Sequence, residues 1–184
     1  AAEMLRREGH QVVVYDAYDR AGGLLIYGIP NFKLDKKVVA RRIQWLMDAG
    51  IEFVLNTRIG EALPFAELQA KHDAVLIATG VYNAREIEVP NASLANIIPA
   101  MEYLTASNKS GLGDQVAAFE SGALNASGKE VVVIGGGDTA MDCVRTAVRQ
   151  GAKKVTCLYR RDRVNMPGSA QEVKHAEEEG VHFE

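Results

Sequence analysis

Three glycines and a closely following small residue, Gly135-Gly136-Gly137-Asp138-Thr139-Ala140, come directly after the β-branched run Val131-Val132-Val133-Ile134. In the spacing Gly135-x-Gly137-x-x-Ala140 the first glycine permits a tight turn and the second lets a pyrophosphate approach the backbone. The small Ala140 lets helix and strand pack closely. A glycine turn after a strand is by itself only a tight turn. Here the surrounding pattern predicts a strand before it, a helix after it to Gln150, then Gly151 and a second strand from Val155 to Tyr159. That is the context a dinucleotide site requires, with the phosphates of the ligand at a helix N-terminus. An NAD-selective unit ends its second strand on Asp or Glu for the ribose 2′-hydroxyl, whereas this chain has Arg160-Arg161. Two guanidinium groups suit a 2′-phosphate, which points to NADPH. The competing reading is a solvated charge run after a strand.

The same order of elements occurs earlier in the chain. Ala1 to Glu8 reads as the later turns of a helix that stops at Gly9, and Gln11 to Tyr15 is a strand ending on Asp16. Compared with the later copy, the start of the helix and the glycine loop before it are missing, so residue 1 is expected to be a truncation point. Asp16 suits the hydroxyls of an unphosphorylated adenosine ribose and equally suits a turn. Gly22-Gly23 either allows close backbone approach or forms a flexible turn. With Ala78-Thr79-Gly80 these residues suggest flavin adenine dinucleotide. FAD and NADPH in separate units imply hydride transfer from nicotinamide to flavin, chemistry that belongs to the cofactors and asks no side chain to act as acid or base.

The elements that must position these residues follow an alternating pattern. Lys36 to Ala49 carries Val39, Ile43, Leu46 and Met47 on one helical face, with Trp45 expected to be partly buried. Ile51 to Leu55 reads as a strand, Phe65 to Lys71 as a short helix and Ala74 to Ala78 as a buried strand. A helix is expected around Met101 to Ala106, followed by a Ser/Gly/Asn-rich connection to residue 128. Ser169 and Glu172 are spaced as a capping box for a helix to Glu179, and Glu177-Glu178-Glu179 reads as its solvated end. Val181 to Phe183 begins a further strand. The expected fold is α/β, with two Rossmann-like dinucleotide-binding domains at 1–98 (FAD) and 99–184 (NADPH), truncated at both ends.

Composition sets the limits. The 184 residues are 47% hydrophobic and 24% charged, with 21 basic and 24 acidic residues intermixed. This is an ordinary globular balance without a basic stripe for nucleic acid. Apolar runs are far shorter than the roughly 20 residues of a membrane span, and a cytoplasmic setting is expected. Cys143 and Cys157 read as core residues, and the four histidines lack metal-ligand spacing.

Four stretches carry a resemblance to a known family. They are Gly22-Gly-Leu-Leu-Ile-Tyr-Gly-Ile-Pro-Asn-Phe-Lys33, Ala78-Thr-Gly80, Gly135-Gly-Gly-Asp-Thr-Ala-Met-Asp-Cys-Val-Arg145 and Tyr159-Arg-Arg-Asp-Arg-Val-Asn-Met-Pro-Gly-Ser169. Together they resemble the small (beta) subunits of NADPH-dependent glutamate synthase. Close relatives share them, among these the flavin and NADPH portion of dihydropyrimidine dehydrogenase. The resemblance implies a glutathione-reductase- or adrenodoxin-reductase-like fold. It implies hydride transfer from NADPH to FAD, and electrons passed through iron-sulfur clusters to a large (alpha) subunit that makes glutamate from 2-oxoglutarate and glutamine. It implies that Asp16 holds the FAD ribose and that the run containing Gly23, Leu24, Leu25 and Lys33 follows the flavin dinucleotide. Ile59 would offer backbone contact near the adenine, with Thr79 and Gly80 also on the flavin side. Gly135, Gly136, Gly137, Asp138 and Thr139 would line the NADPH pyrophosphate, and Arg160 and Arg161 its 2′-phosphate. The family's cysteine-rich cluster domain, first FAD glycine loop and C-terminal flavin segment have no counterpart here, so the chain reads as a central fragment with its clusters elsewhere.

Overall fold

The computed structural model describes residues 1–81 and 89–184. Its contacts divide the chain into two compact units, Ala1–Ile26 with Asp35–Asn83 and Tyr27–Leu34 with Ala84–Glu184. Both are α/β, and each holds a parallel sheet.

The first unit runs α1 (Ala2–Arg7), β1 (Val12–Tyr15), α2 (Leu24–Tyr27, whose last residue belongs to the other unit), α3 (Lys36–Asp48), β2 (Ile51–Val54) and α4 (Phe65–Lys71). β1 and β2 pair in parallel, Val12 opposite Ile51 and Tyr15 opposite Val54, a pairing that needs a crossover such as α3. The Asp35 carboxylate starts α3 by accepting the Lys37 N–H at 2.9 Å. Val39 is buried and Ile43 and Leu46 half-buried, forming the inward stripe. Trp45 falls off that stripe and is 56% exposed, contrary to the expected partial burial; the Arg42 guanidinium lies 4.3 Å from its ring centroid. Ala74 to Ala78 also differs from expectation. It forms no strand, and Leu76 and Ile77 are 65% and 69% exposed. A β-branched run specifies a strand only where a neighbour pairs with it, and among the described residues β1 and β2 pair only with each other.

The second unit contains α5 (Ala100–Gly111), α6 (Ala117–Glu120), β3 (Glu130–Ile134), α7 (Asp138–Arg149), β4 (Lys154–Leu158), α8 (Ala170–Glu178) and β5 (His182–Phe183). Its sheet has the order β3-β4-β5, all parallel, with Ile134 opposite Leu158 and Cys157 opposite Phe183. Met141, Val144, Ala147, Cys157 and Ala176 are wholly buried at its centre. α5 is longer than the expected Met101 to Ala106. Its polar residues are held by tertiary bonds that override weak propensity: the Asn108 amide donates to the Tyr27 carbonyl at 3.0 Å, and Ser107 accepts from Gln150.

Segment 27–34 packs with the second unit. Besides Asn108, an ionic network holds it. Lys33 Nζ lies 2.8 Å from Asp142 and 3.2 Å from Glu172, and Phe32 lies under the guanidinium groups of Arg145 and Arg149. Arg145 joins Glu172 and Glu179, each at 2.8 Å. Two expectations about α8 are corrected by this network. Ser169 makes no side-chain cap and Glu172 is drawn to Lys33 and Arg145, so there is no capping box. Glu177 and Glu179 are not a solvated end: Glu177 pairs with Arg163, and Glu179 with Arg145 and Arg149.

The network sets the acid side of stability. Burial alone would raise the pKa of Glu179, but hydrogen bonds from Arg149 and Arg145 outweigh it and hold the carboxyl below its ordinary 4.5. Glu172 is likewise lowered, against its burial, by Lys33 and Arg145. Asp142 goes the other way, since burial raises it more than Lys33 lowers it. A lowered carboxyl stabilises the fold above its unfolded pKa and loses that contribution as pH falls through its folded value. Glu179→Gln should therefore lower the thermal midpoint at pH 7, and the deficit should shrink below the ordinary 4.5; melting curves of both proteins from pH 7 to pH 3 check this. Met141→Ala, at a site with no exposure, should cost about 2–5 kcal/mol of unfolding free energy in a urea titration.

Candidate functional site

The glycine loop lies where β3 ends. Gly135 takes φ +143°, donates its N–H to the Leu158 carbonyl at 2.9 Å and accepts the Cys157 thiol at 3.2 Å, which anchors the turn to β4. Gly137 is the N-cap of α7, and its carbonyl accepts the N–H of Ala140 at 2.9 Å and of Met141 at 3.1 Å. The N–H groups of Gly136, Gly137, Asp138 and Thr139 donate to no group among the described residues. Four consecutive free amides at the start of a twelve-residue helix form an anion cradle, with the positive end of the helix dipole behind them. A Cβ built on Gly137 would meet nothing within 4 Å, so the side-chain position of Gly137 is open space. A pyrophosphate fits such a surface: it needs donors and room.

Arg160 and Arg161 follow the end of β4, two and three residues beyond Leu158, the residue that holds Gly135. Both are exposed, and neither has an acidic partner among the described residues. Arg163 differs, being paired with Glu177. Of the three arginines in this run, only the two at the strand end are available to a ligand phosphate.

Residues of the stretch 159–169 brace the loop from behind. The Tyr159 ring packs against Gly136 so closely that a Cβ there would lie 2.6 Å from the ring. The Tyr159 hydroxyl donates to the Asn165 carbonyl at 3.0 Å. Gly168 donates its N–H to the Gly136 carbonyl, and Ser169 its N–H to the Asp138 carboxylate, both at 2.9 Å. The sequence signal for this brace was Gly168 beside Pro167, which reads as a turn and says nothing about what the turn touches.

The flavin-side candidates are less concentrated. Asp16 stands at the end of β1 with one carboxylate oxygen accepting the Tyr18 N–H at 3.0 Å, so the turn role is real and the second oxygen is open. Gly22 and Gly23 both take positive φ, but the bare face of Gly22 is filled from within: a Cβ would lie 2.6 Å from Ile26. Leu24 and Leu25 are exposed, and the Leu25 carbonyl accepts Lys36 Nζ at 2.9 Å. Ile59 bridges to Leu63, and Thr79 and Gly80 are exposed outside any strand. Lys33 lies in the second unit, its ammonium engaged by Asp142 and Glu172.

Both cysteines are buried and free. Burial pushes the Cys143 thiol up to about 12, which makes it a packing residue. Among the described residues no group of three or more His, Cys, Asp or Glu is placed to hold a metal ion, and no helix is long and apolar enough to cross a membrane.

Residues 1–184 match the pyridine nucleotide-disulphide oxidoreductase family. The chain is 63% identical over 183 residues to the NADPH glutamate synthase small chain of Azospirillum brasilense, covering 100% of this chain and 38% of that protein. With the NADPH glutamate synthase small chain of Escherichia coli (strain K12) it shares 47% identity over 182 residues, covering 99% and 38%. The chain thus spans less than half the length of these curated relatives. The solved structure of Mycobacterium tuberculosis FprA in complex with NADPH shares the fold, with a TM-score of 0.78 at 20% identity over 97% of this chain and 44% of that one. Matched along its whole length, the chain belongs to the pyridine nucleotide-disulphide oxidoreductase family.

Proposed function

We propose that this chain is the dinucleotide-binding part of an NADPH-dependent glutamate synthase small chain, a flavoprotein oxidoreductase. The observation that carries the reading is the pair of unpartnered guanidinium groups, Arg160 and Arg161, beside a glycine loop with four free amides and open space at the side-chain position of Gly137. The high identity to two small chains of that name supports it. In this reading the second unit takes NADPH, with Gly135 to Thr139 on the pyrophosphate and the arginines on the 2′-phosphate. The first unit takes part of FAD through Asp16, Gly23, Leu24, Leu25, Ile59, Thr79 and Gly80. Lys33 also supports the NADPH unit through α7 and α8, its ammonium held by Asp142 and Glu172.

Bound together, nicotinamide and flavin supply the hydride transfer. The chain's own task is to bind and orient. The free amides and the dipole of α7 neutralise a diphosphate, and the arginines select a phosphorylated ribose over a plain one. Electrons then leave toward iron-sulfur clusters and a glutamate synthase large subunit, the partner that the relatives' names imply, in a cytoplasmic setting that the ordinary globular composition supports.

Two experiments on the full-length gene product test this. Replacing Arg160 and Arg161 together with Ala should raise the Michaelis constant for NADPH by about 10- to 100-fold, the worth of one charge-assisted hydrogen bond, and leave that for NADH nearly unchanged. Equal effects on the two coenzymes would refute the assignment of the 2′-phosphate. Gly137→Val should abolish NADPH binding while bound flavin absorbance persists, because the new side chain projects into open space and not into the core. Loss of both cofactors would show that this space belongs to the fold and not to a ligand.

A further inference from the structure

The segment that carries the arginines returns to touch the glycine loop. Gly168 bonds its N–H to the Gly136 carbonyl, and the Asp138 carboxylate accepts the N–H of Ser169, both at 2.9 Å. Between these ends Asp162 caps the short turn at Arg163–Asn165, and Tyr159 reaches both Gly136 and Asn165. The contact is tight enough that a Cβ on Gly168 would lie 2.9 Å from the Gly136 carbonyl oxygen and 3.3 Å from the Gly137 carbonyl carbon.

The position of Asp138 is otherwise hard to explain. A carboxylate in the first turn of α7 suits the helix dipole but repels any anion that comes to the free amides. Its bond to Ser169 gives it a different task. Ser169 is the N-cap of α8, so Asp138 holds the start of α8 against the start of α7. The arginine-bearing loop is closed at both ends: by β4 before Tyr159 and by Asp138 and Gly168 at its far side.

We propose that Asp138 and Gly168 are positioning residues that latch the arginine loop to the glycine loop and thereby set affinity for a ligand with phosphates at both places. The proposal rests on the NADPH reading above and deepens it. Two binding elements held at a fixed spacing meet a two-phosphate ligand without an ordering cost, whereas untied elements must be ordered on binding. A ligand that engages only one element gains nothing from the latch.

The test uses wild-type full-length protein with Asp138→Ala, Asp138→Asn and Gly168→Ala. Titrations use NADPH, 2′,5′-ADP (a phosphate for each loop) and 2′-AMP (a phosphate for the arginines alone). Asp138→Ala and Gly168→Ala should weaken NADPH and 2′,5′-ADP about tenfold and 2′-AMP less than about twofold. The loss should appear in KM and not in kcat at saturating NADPH. Asp138→Asn keeps the carbonyl acceptor for Ser169 and should restore near-wild-type binding, which separates the latch from the charge. Variants that bind 2′,5′-ADP as tightly as wild type overturn the latch alone. Equal loss of 2′-AMP also overturns it, since the variants would then have damaged the arginine site itself. If the wild type binds none of the three probes, the NADPH reading fails and the latch with it.

Discussion

A backbone that is to bind an anion must leave its amides unpaired, and unpaired amides give the chain no reason to hold still. The loop from Gly135 to Thr139 meets this constraint by being tied through groups other than the N–H groups of Gly136 to Thr139. Its first three carbonyls are occupied: Gly135 accepts the Cys157 thiol, Gly136 accepts Gly168, and Gly137 accepts the N–H groups of Ala140 and Met141. A ring lies against its back at Gly136. An unmet buried donor costs about 1–3 kcal/mol, a cost that the exposed Asp138 and Thr139 avoid through solvent or a ligand. The glycines thus serve two ends, room for a ligand at Gly137 and room for Tyr159 at Gly136.

How far the sequence disclosed this depends on the range of the forces involved. Local patterns gave α4 its observed bounds and brought α3, α7, β3 and β4 within a residue or so, because periodicity and capping act over a few residues. Where a partner distant in sequence decides, the reading failed. Ala74 to Ala78 has the composition of a buried strand and pairs with nothing among the described residues. The polar second half of α5 looks like a connection until Asn108 is seen bonded to Tyr27, 81 residues away.

The site shows the same boundary. Gly135-x-Gly137-x-x-Ala140 is a spacing rule and was legible as one. That Arg163 is occupied while Arg160 and Arg161 are open was not legible, because the distinction lies in Glu177 on another helix. Lys33 sits in a string that resembles a flavin-binding run, but its ammonium answers to Asp142 and Glu172, carboxylates more than a hundred residues further on. The family resemblance puts Asp138 beside a pyrophosphate, and its bond from Ser169 shows that its side chain has a separate task from its backbone.

α7 brings these facts together. Met141, Val144 and Ala147 lie three residues apart and are wholly buried, which fixes the rotation of the helix about its axis. Asp142, Arg145 and Arg149 fall on the neighbouring face, where Asp142 meets Lys33 and the two arginines meet Phe32 and Glu179. The free amides occupy its first turn. A rotation of one residue would withdraw the core side chains, break the ionic network and turn the amides away from the loop together. The same burial that stabilises the unit therefore aims its donors, and segment 27–34, though it touches no amide of the cradle, presses on the helix that carries them.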